Sequence, residues 1–166
     1  MRRGKKKHYT ICMSDHVYKP HNKTLLLYHL VFPAKYRRKV ITSEVEETLK
    51  QVCIGISQRY EIKILEIGSD EDHVHFLFQS VPNNSITRIV TVLKSITVRE
   101  LYKTHPAIKR LLWGGNFWTS GYYANTIGSH GTKEVIQNYV KEHGRKYTKI
   151  YSQQLSLFND EYNSSL

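Results

Sequence analysis

The stretch Asp72-His73-Val74-His75-Phe76-Leu77-Phe78 carries the residues best suited to chemistry in this 166-residue chain. Its apolar and aromatic character predicts a strand, and in a strand alternate side chains share a face. Val74, Phe76 and Phe78 then point to one side, the core, and His73 and His75 to the other. Imidazole is the commonest metal-ligating side chain, so two of them two residues apart on an open sheet face can reach a single cation. Taken alone, the pair is equally compatible with two solvated surface histidines.

Tyr139 and His143 are four residues apart in a segment, 132–143, that is predicted helical and is stopped by Gly144. Both therefore fall on one side of that helix. If it packs near His73 and His75, His143 is a third ligand and Tyr139 stands beside the metal. Val135, Ile136 and Val140 flank Tyr139, which leaves a packing role open. Tyrosine, with a pKa of about 10, is a poor nucleophile at neutral pH. A divalent cation acting on the attacked phosphate offsets much of that handicap. Other chemistries lack their residues. There is no Gly-rich phosphate loop ending in Gly-Lys-Ser/Thr and no Gly-x-Ser-x-Gly elbow. The dense acidic cluster Asp70-Glu71-Asp72 sits on one turn, not in the convergent arrangement a two-metal nuclease needs.

Positioning these groups requires a frame, and the hydrophobic pattern supplies one. Residues 1–22 are basic and aperiodic and read as a flexible arm. A buried strand is predicted over 24–32, closed by Pro33, with a basic surface turn at Lys35, Arg37, Arg38 and Lys39. Ser43 with Glu46 forms a capping box for a helix to about Tyr60, whose stripe is Val45, Leu49, Val52, Cys53 and Ile56. Two strands, 61–68 and 73–80, are joined at Ser69-Asp70-Glu71-Asp72. A second helix with Ile86, Ile89, Val90, Leu93, Ile96 and Leu101 on one face ends at Pro106. After a loop at Trp113-Gly114-Gly115, a fourth strand is expected over 116–125. A break at Gly128-Ser129-His130-Gly131 then leads into the 132–143 helix, with Gly128 and Gly131 as a hinge or an ordinary connection. The order predicts an α+β, ferredoxin-like split βαβ fold: a four-stranded antiparallel sheet, two helices on one face, and an added C-terminal helix. One domain is expected, with an arm at 1–22, a core at 23–147 and a polar tail at 148–166.

Lys and Arg number 25 against 14 Asp and Glu, a formal charge of +11 that points to a polyanionic partner. Lys35, Arg37, Arg38, Arg88, Lys94 and Arg99 are the candidate contacts to the phosphates of such a partner, the last three largely outside the apolar stripe of their helix. Twelve tyrosines offer faces for unpaired bases, although half-buried packing accounts for most tyrosines. Cys12 and Cys53 have no paired spacing, and Cys53 lies in an apolar stripe, so neither a disulfide framework nor a cysteine zinc site is expected. No run approaches the roughly 20 apolar residues of a membrane helix. No apolar signal core follows Lys5-Lys6-Lys7, so the expected location is the cytoplasm.

Four blocks of the chain resemble, in order, the HUH-type single-tyrosine transposases of the insertion-sequence 200/605 group. They are Tyr28-His29-Leu30-Val31-Phe32 leading to Lys35-Tyr36-Arg37-Arg38-Lys39-Val40, then Asp72-His73-Val74-His75, then Phe117-Trp118-Thr119-Ser120-Gly121-Tyr122-Tyr123 running to Thr126-Ile127-Gly128, and lastly Tyr139. Together they cover residues 24–145. The resemblance implies a homodimer whose sheets join edge to edge and whose active sites are shared between subunits. It implies hairpins on single-stranded DNA as the bound substrate, a divalent metal (Mg²⁺ or Mn²⁺), and Tyr139 as the nucleophile that forms a 5′-phosphotyrosine link. His143 stands where the family often has Gln or Asn. Three imidazoles form a softer set, which favours Mn²⁺ or another transition metal over Mg²⁺. Two other readings fit parts of the pattern: a domesticated relative that processes repetitive palindromes, and a non-catalytic module reading single strands on a ferredoxin-like sheet.

Overall fold

The computed structural model describes residues 16–112, 115–127 and 147–149. Its principal sheet is built on β3 (Leu26–Pro33), β4 (Lys63–Asp70), β5 (His73–Ser80) and β6 (Tyr123–Ile127), with α1 (Ser43–Arg59) and α2 (Ile86–Thr104) as the crossovers. The spatial order is β6-β3-β5-β4, and every pairing is antiparallel. That is the expected ferredoxin-like split βαβ arrangement. A fifth strand, β7 (Tyr147–Lys149), pairs with β4 at the sheet edge.

The core forms because one side of each strand and one stripe of each helix are apolar. Leu30 and Phe32 of β3, Ile64 and Ile67 of β4, and Val74, Phe76 and Phe78 of β5 are buried together with Val45, Leu49, Cys53 and Ile56 of α1 and Ile89, Leu93 and Leu101 of α2. The second face of the sheet carries a small separate cluster, Leu27, Leu65 and Leu77, beside buried His29, Glu66, His75 and Gln79. A register shift between Ile64 and Glu66 puts one extra residue into β4. That sets Glu66 opposite Leu77 and lets both Ile64 and Ile67, three positions apart, face the main core, while Leu65 joins the second cluster.

Several local expectations are corrected. Within the segment read as a flexible arm, β1 (Val17–Lys19) and β2 (Asn22–Thr24) form a hairpin, tied on by the ion pair of Lys19 with Glu61. Three-residue polar strands leave no alternation to read. The cap of α1 is Thr42, not Ser43: its hydroxyl accepts from the Val45 N–H, and Glu46 instead pairs with Lys50 and accepts from Ser69. The second helix ends just before Pro106, as expected, with His105 as its C-cap, but Pro106 then opens a short further helix, α3 (Pro106–Leu111), since proline is well suited to a first turn. The strand expected over 116–125 lies at Tyr123–Ile127. Phe117 and Trp118 pack into the core, and their pairing is confined to a single bridge between Trp118 and Ala34. Thr148 and Lys149, read as the start of the tail, belong to β7. The expected 132–143 helix, Gly128, Gly131 and Cys12 lie outside the described residues.

Candidate active site

Strand alternation puts His73 and His75 on the second face of β5, opposite Val74 and Phe76 in the core. Their ring centroids are 4.9 Å apart. His75 faces Gly68 across the β4 pairing, so no β4 side chain stands directly opposite it. On the other flank, His29 of β3 lies diagonally across from His75. The two rings lie edge to edge within 8° of parallel, with centroids 5.1 Å apart, and His29 Nε2 is 2.9 Å from His75 Nδ1. Tyr123 of β6 sets its ring edgewise to His29 at 6.1 Å. A row of rings, Tyr123, His29, His75 and His73, thus crosses three strands.

His73 is held from the turn. Only Glu71 and Asp72 separate β4 from β5, a tighter connection than the four-residue turn expected. The Asp72 carboxylate lies 2.6 Å from His73 Nδ1 and 2.8 Å from Arg37 Nε. A carboxylate can only accept, so Nδ1 of His73 carries the proton and its second nitrogen, Nε2, faces away, 3.5 Å from Asp70. Burial raises the Asp72 pKa, but the hydrogen bond to His73 and the charges of Arg37 and His73 outweigh it. The carboxyl therefore lies below its ordinary range.

The turn itself is bolted to the basic segment that follows β3. Ala34 N–H donates to the Asp72 carbonyl at 2.8 Å, Ile41 N–H to the Glu71 carbonyl at 3.0 Å, and Lys39 pairs with Glu71 at 2.6 Å. A 3-10 turn at Lys35–Arg37 bends the chain here, with φ of 57° at Tyr36 and 53° at Arg37. Left-handed backbone at two successive side-chain-bearing residues is costly, and such strain persists only where surrounding contacts hold it. Here those contacts include the Arg37–Asp72 pair.

The candidate cations separate into distinct environments. Arg37 is bound to Asp72, and Arg99 pairs with its neighbour Glu100 at 3.1 Å. Arg38 and Arg88 have exposed side chains. Lys35 and Lys94 line one cleft of about 460 Å³ with Thr91, Phe117 and Trp118. Lys94 differs from the expectation of a free surface cation. Its ammonium donates to the carbonyls of Thr119, Ser120 and Gly121 at 2.8, 3.1 and 2.9 Å. It also sits 5.2 Å from the Phe32 ring and 5.5 Å from the Tyr122 ring, and burial lowers its pKa. All three N–H donors serve the 119–121 loop. Replacing Lys94 with Ala is expected to lower stability by about 1.5–3 kcal/mol, the range for hydrogen bonds to a charged group. Urea titration measures that loss. The salt slope of DNA binding should stay unchanged; a fall of about one would make Lys94 a phosphate contact instead.

His73 and His75 fit part of a metal-ligand set, two imidazoles whose rings are already oriented. Among the described residues no group of three His, Cys, Asp or Glu is placed to hold a metal. Tyr139 and His143 lie outside the described residues. Sequence reasoning singled out neither Asp72 nor His29 as supports. Asp72 is adjacent to the pair and readable in principle. His29 becomes visible only once the register of β3 against β5 is known. No helix among the described residues is long and apolar enough to cross a membrane.

The family model described as "Transposase IS200 like" matches residues 22–143, a span that holds His73, His75, Tyr139 and His143. The chain is similar to the ISDra2 transposase TnpA of Deinococcus radiodurans, with 34% identity over 116 residues, 70% of this chain and 82% of that one. It is also similar to the transposase for insertion sequence element IS200 of Salmonella typhimurium, with 30% identity over 129 residues, 78% of this chain and 84% of that one. Its fold resembles the crystal structure of a candidate transposase from Deinococcus radiodurans R1, at a TM-score of 0.58 and 27% identity, covering 88% of this chain and 100% of that one. With two thirds or more of the chain aligned to these relatives, and the histidine strand inside the family match, the chain belongs to the IS200-like transposases.

Proposed function

We propose that this transposase is a metal-dependent tyrosine enzyme that cleaves and rejoins single-stranded DNA at the ends of an insertion sequence. It recognises terminal hairpins and works in the cytoplasm as a homodimer with shared active sites. The observation that carries this reading is the His73–His75 pair, two imidazoles with ring centroids 4.9 Å apart on the sheet face away from the helices, in a chain of this family. The formal charge of +11 supports a polyanionic substrate. Lys35, Arg38 and Arg88 are the cations we assign to phosphate contacts.

In the proposed reaction Tyr139 Oη gives up its proton and attacks the scissile phosphorus, the bond from phosphorus to the 3′ oxygen breaks, and that oxygen takes up a proton to leave as a 3′-hydroxyl. The 5′ phosphate stays linked to Tyr139. Rejoining runs in reverse: a 3′-hydroxyl attacks the phosphotyrosine and Oη leaves. The ester is exchanged, not hydrolysed, so no nucleotide cofactor is consumed. His73, His75 and His143 would hold a divalent metal, Mg²⁺ or Mn²⁺, which when bound supplies charge stabilisation at the phosphate. Arg37 and Asp72 keep the His73 ring in its productive orientation.

Incubation with single-stranded DNA from both flanks of the gene, in Mn²⁺, Mg²⁺ or EDTA, followed by a denaturing gel, tests this. A slow-migrating protein–DNA band that requires metal is expected. Tight hairpin binding with no band in either metal would move the assignment to a non-catalytic DNA-binding relative.

A further inference from the structure

We infer that His29 is a positioning residue for the metal site: it accepts a hydrogen bond from His75 Nδ1–H and thereby turns Nε2 of His75 to the metal. The inference rests on the metal reading above, and extends it to a residue outside the histidine pair. Its basis is that both imidazoles are anchored through the same ring nitrogen. His73 Nδ1 is bonded to Asp72 at 2.6 Å, and His75 Nδ1 to His29 Nε2 at 2.9 Å. A neutral imidazole has one N–H, so the His29–His75 bond can run in either of two directions. If His29 donates, His75 carries its proton on Nε2 and that nitrogen has no lone pair for a metal. If His75 donates, Nε2 is the ligating atom. Metal binding and acceptance by His29 therefore favour the same tautomer, and each strengthens the other.

The surroundings suit that role. His29 and His75 are 5% and 8% exposed, so water competes little for the bond. The rings lie within 8° of a common plane, so the bond is in line with both, and Tyr123 braces His29 edgewise from β6. An anchored imidazole loses less freedom on coordination, and a hydrogen-bond acceptor behind it raises its basicity; such partners are worth about 10- to 100-fold in metal affinity.

The test uses the full chain with Mn²⁺ as the probe, titrated by the electron paramagnetic resonance of free Mn²⁺. Long-range ¹H–¹⁵N NMR on the metal-free protein reads the His75 tautomer. The wild type should show Nδ1–H. His29→Leu should bind Mn²⁺ about 10- to 100-fold more weakly and shift His75 toward Nε2–H. His29→Gln, whose Oε1 can accept, should restore most of both and serves as the control for folding. Unchanged affinity and an unchanged tautomer in His29→Leu would overturn the inference. So would His29→Gln losing Mn²⁺ as fully as His75→Ala, because His29 would then be a ligand itself. If the wild type binds no Mn²⁺, or His73→Ala with His75→Ala binds it as before, the metal reading fails and this inference falls with it. The tautomer measurement separates that outcome from a failure of the His29–His75 bond alone.

Discussion

Tyr139→Phe is expected to remove the covalent protein–DNA product altogether while hairpin binding stays within about twofold of the wild type. The substitution deletes one oxygen and keeps the ring, so any packing contribution of the side chain survives. A tyrosine that only fills space would tolerate the change. A nucleophile would not, since phenylalanine has no oxygen with which to form the ester, and losing a covalent nucleophile costs roughly 10⁴-fold or more in rate. The gel also separates the two chemistries by product: attack by tyrosine leaves protein on the 5′ end, whereas attack by water leaves a free 5′ phosphate. A covalent band of undiminished intensity from Tyr139→Phe would remove Tyr139 from the mechanism and direct the search to another hydroxyl.

The largest loss of stability is expected from Trp118→Ala, about 3–5 kcal/mol. Trp118 is 4% exposed and packs against Phe32 and Phe117 at 5.7 and 4.6 Å between ring centroids. Its indole N–H donates to the Thr97 hydroxyl at 2.9 Å, and that hydroxyl donates on to the Leu93 carbonyl at 2.6 Å. Truncation therefore opens a cavity beneath β3 and removes the donor to a fully buried hydroxyl. Domains of this size are commonly stable by about 5–15 kcal/mol, so the variant should unfold at far lower urea. Thr97→Val, which keeps the shape and loses the bond, should cost about 1 kcal/mol. A Trp118→Ala loss no larger than that would mean the indole is not holding the 117–121 segment in place.

Legibility in the sequence followed periodicity. The alternation of β5 and the stripes of α1 and α2 announced the sheet, its two crossovers and the face that carries His73 and His75. What stayed hidden depended on pairing and not on pattern. The β1–β2 hairpin has only three residues per strand and no buried face to mark it. Phe117 and Trp118 looked like strand residues because aromatics favour strands, yet their burial puts them in the core. Lys94 sat outside the apolar stripe and so resembled a free cation; the three carbonyls it serves lie 25 to 27 positions further along the chain. The Arg37–Asp72 pair and the His29–His75 bond likewise span 35 and 46 positions, beyond any local rule.

The alternation of β5 also bears on how such a site can change over generations. Both histidines face one way and both flanking core residues the other, over a strand pinned at one end by a two-residue turn. Point substitutions act on one face at a time, so the face that carries the histidines can drift around them with little effect on the interior. A single-codon insertion or deletion between Asp72 and Phe76 instead exchanges the faces of every residue on one side of it. The strand can therefore vary in composition but not in length, and descendants of this chain should record change there as replacements, with gaps confined to the loops.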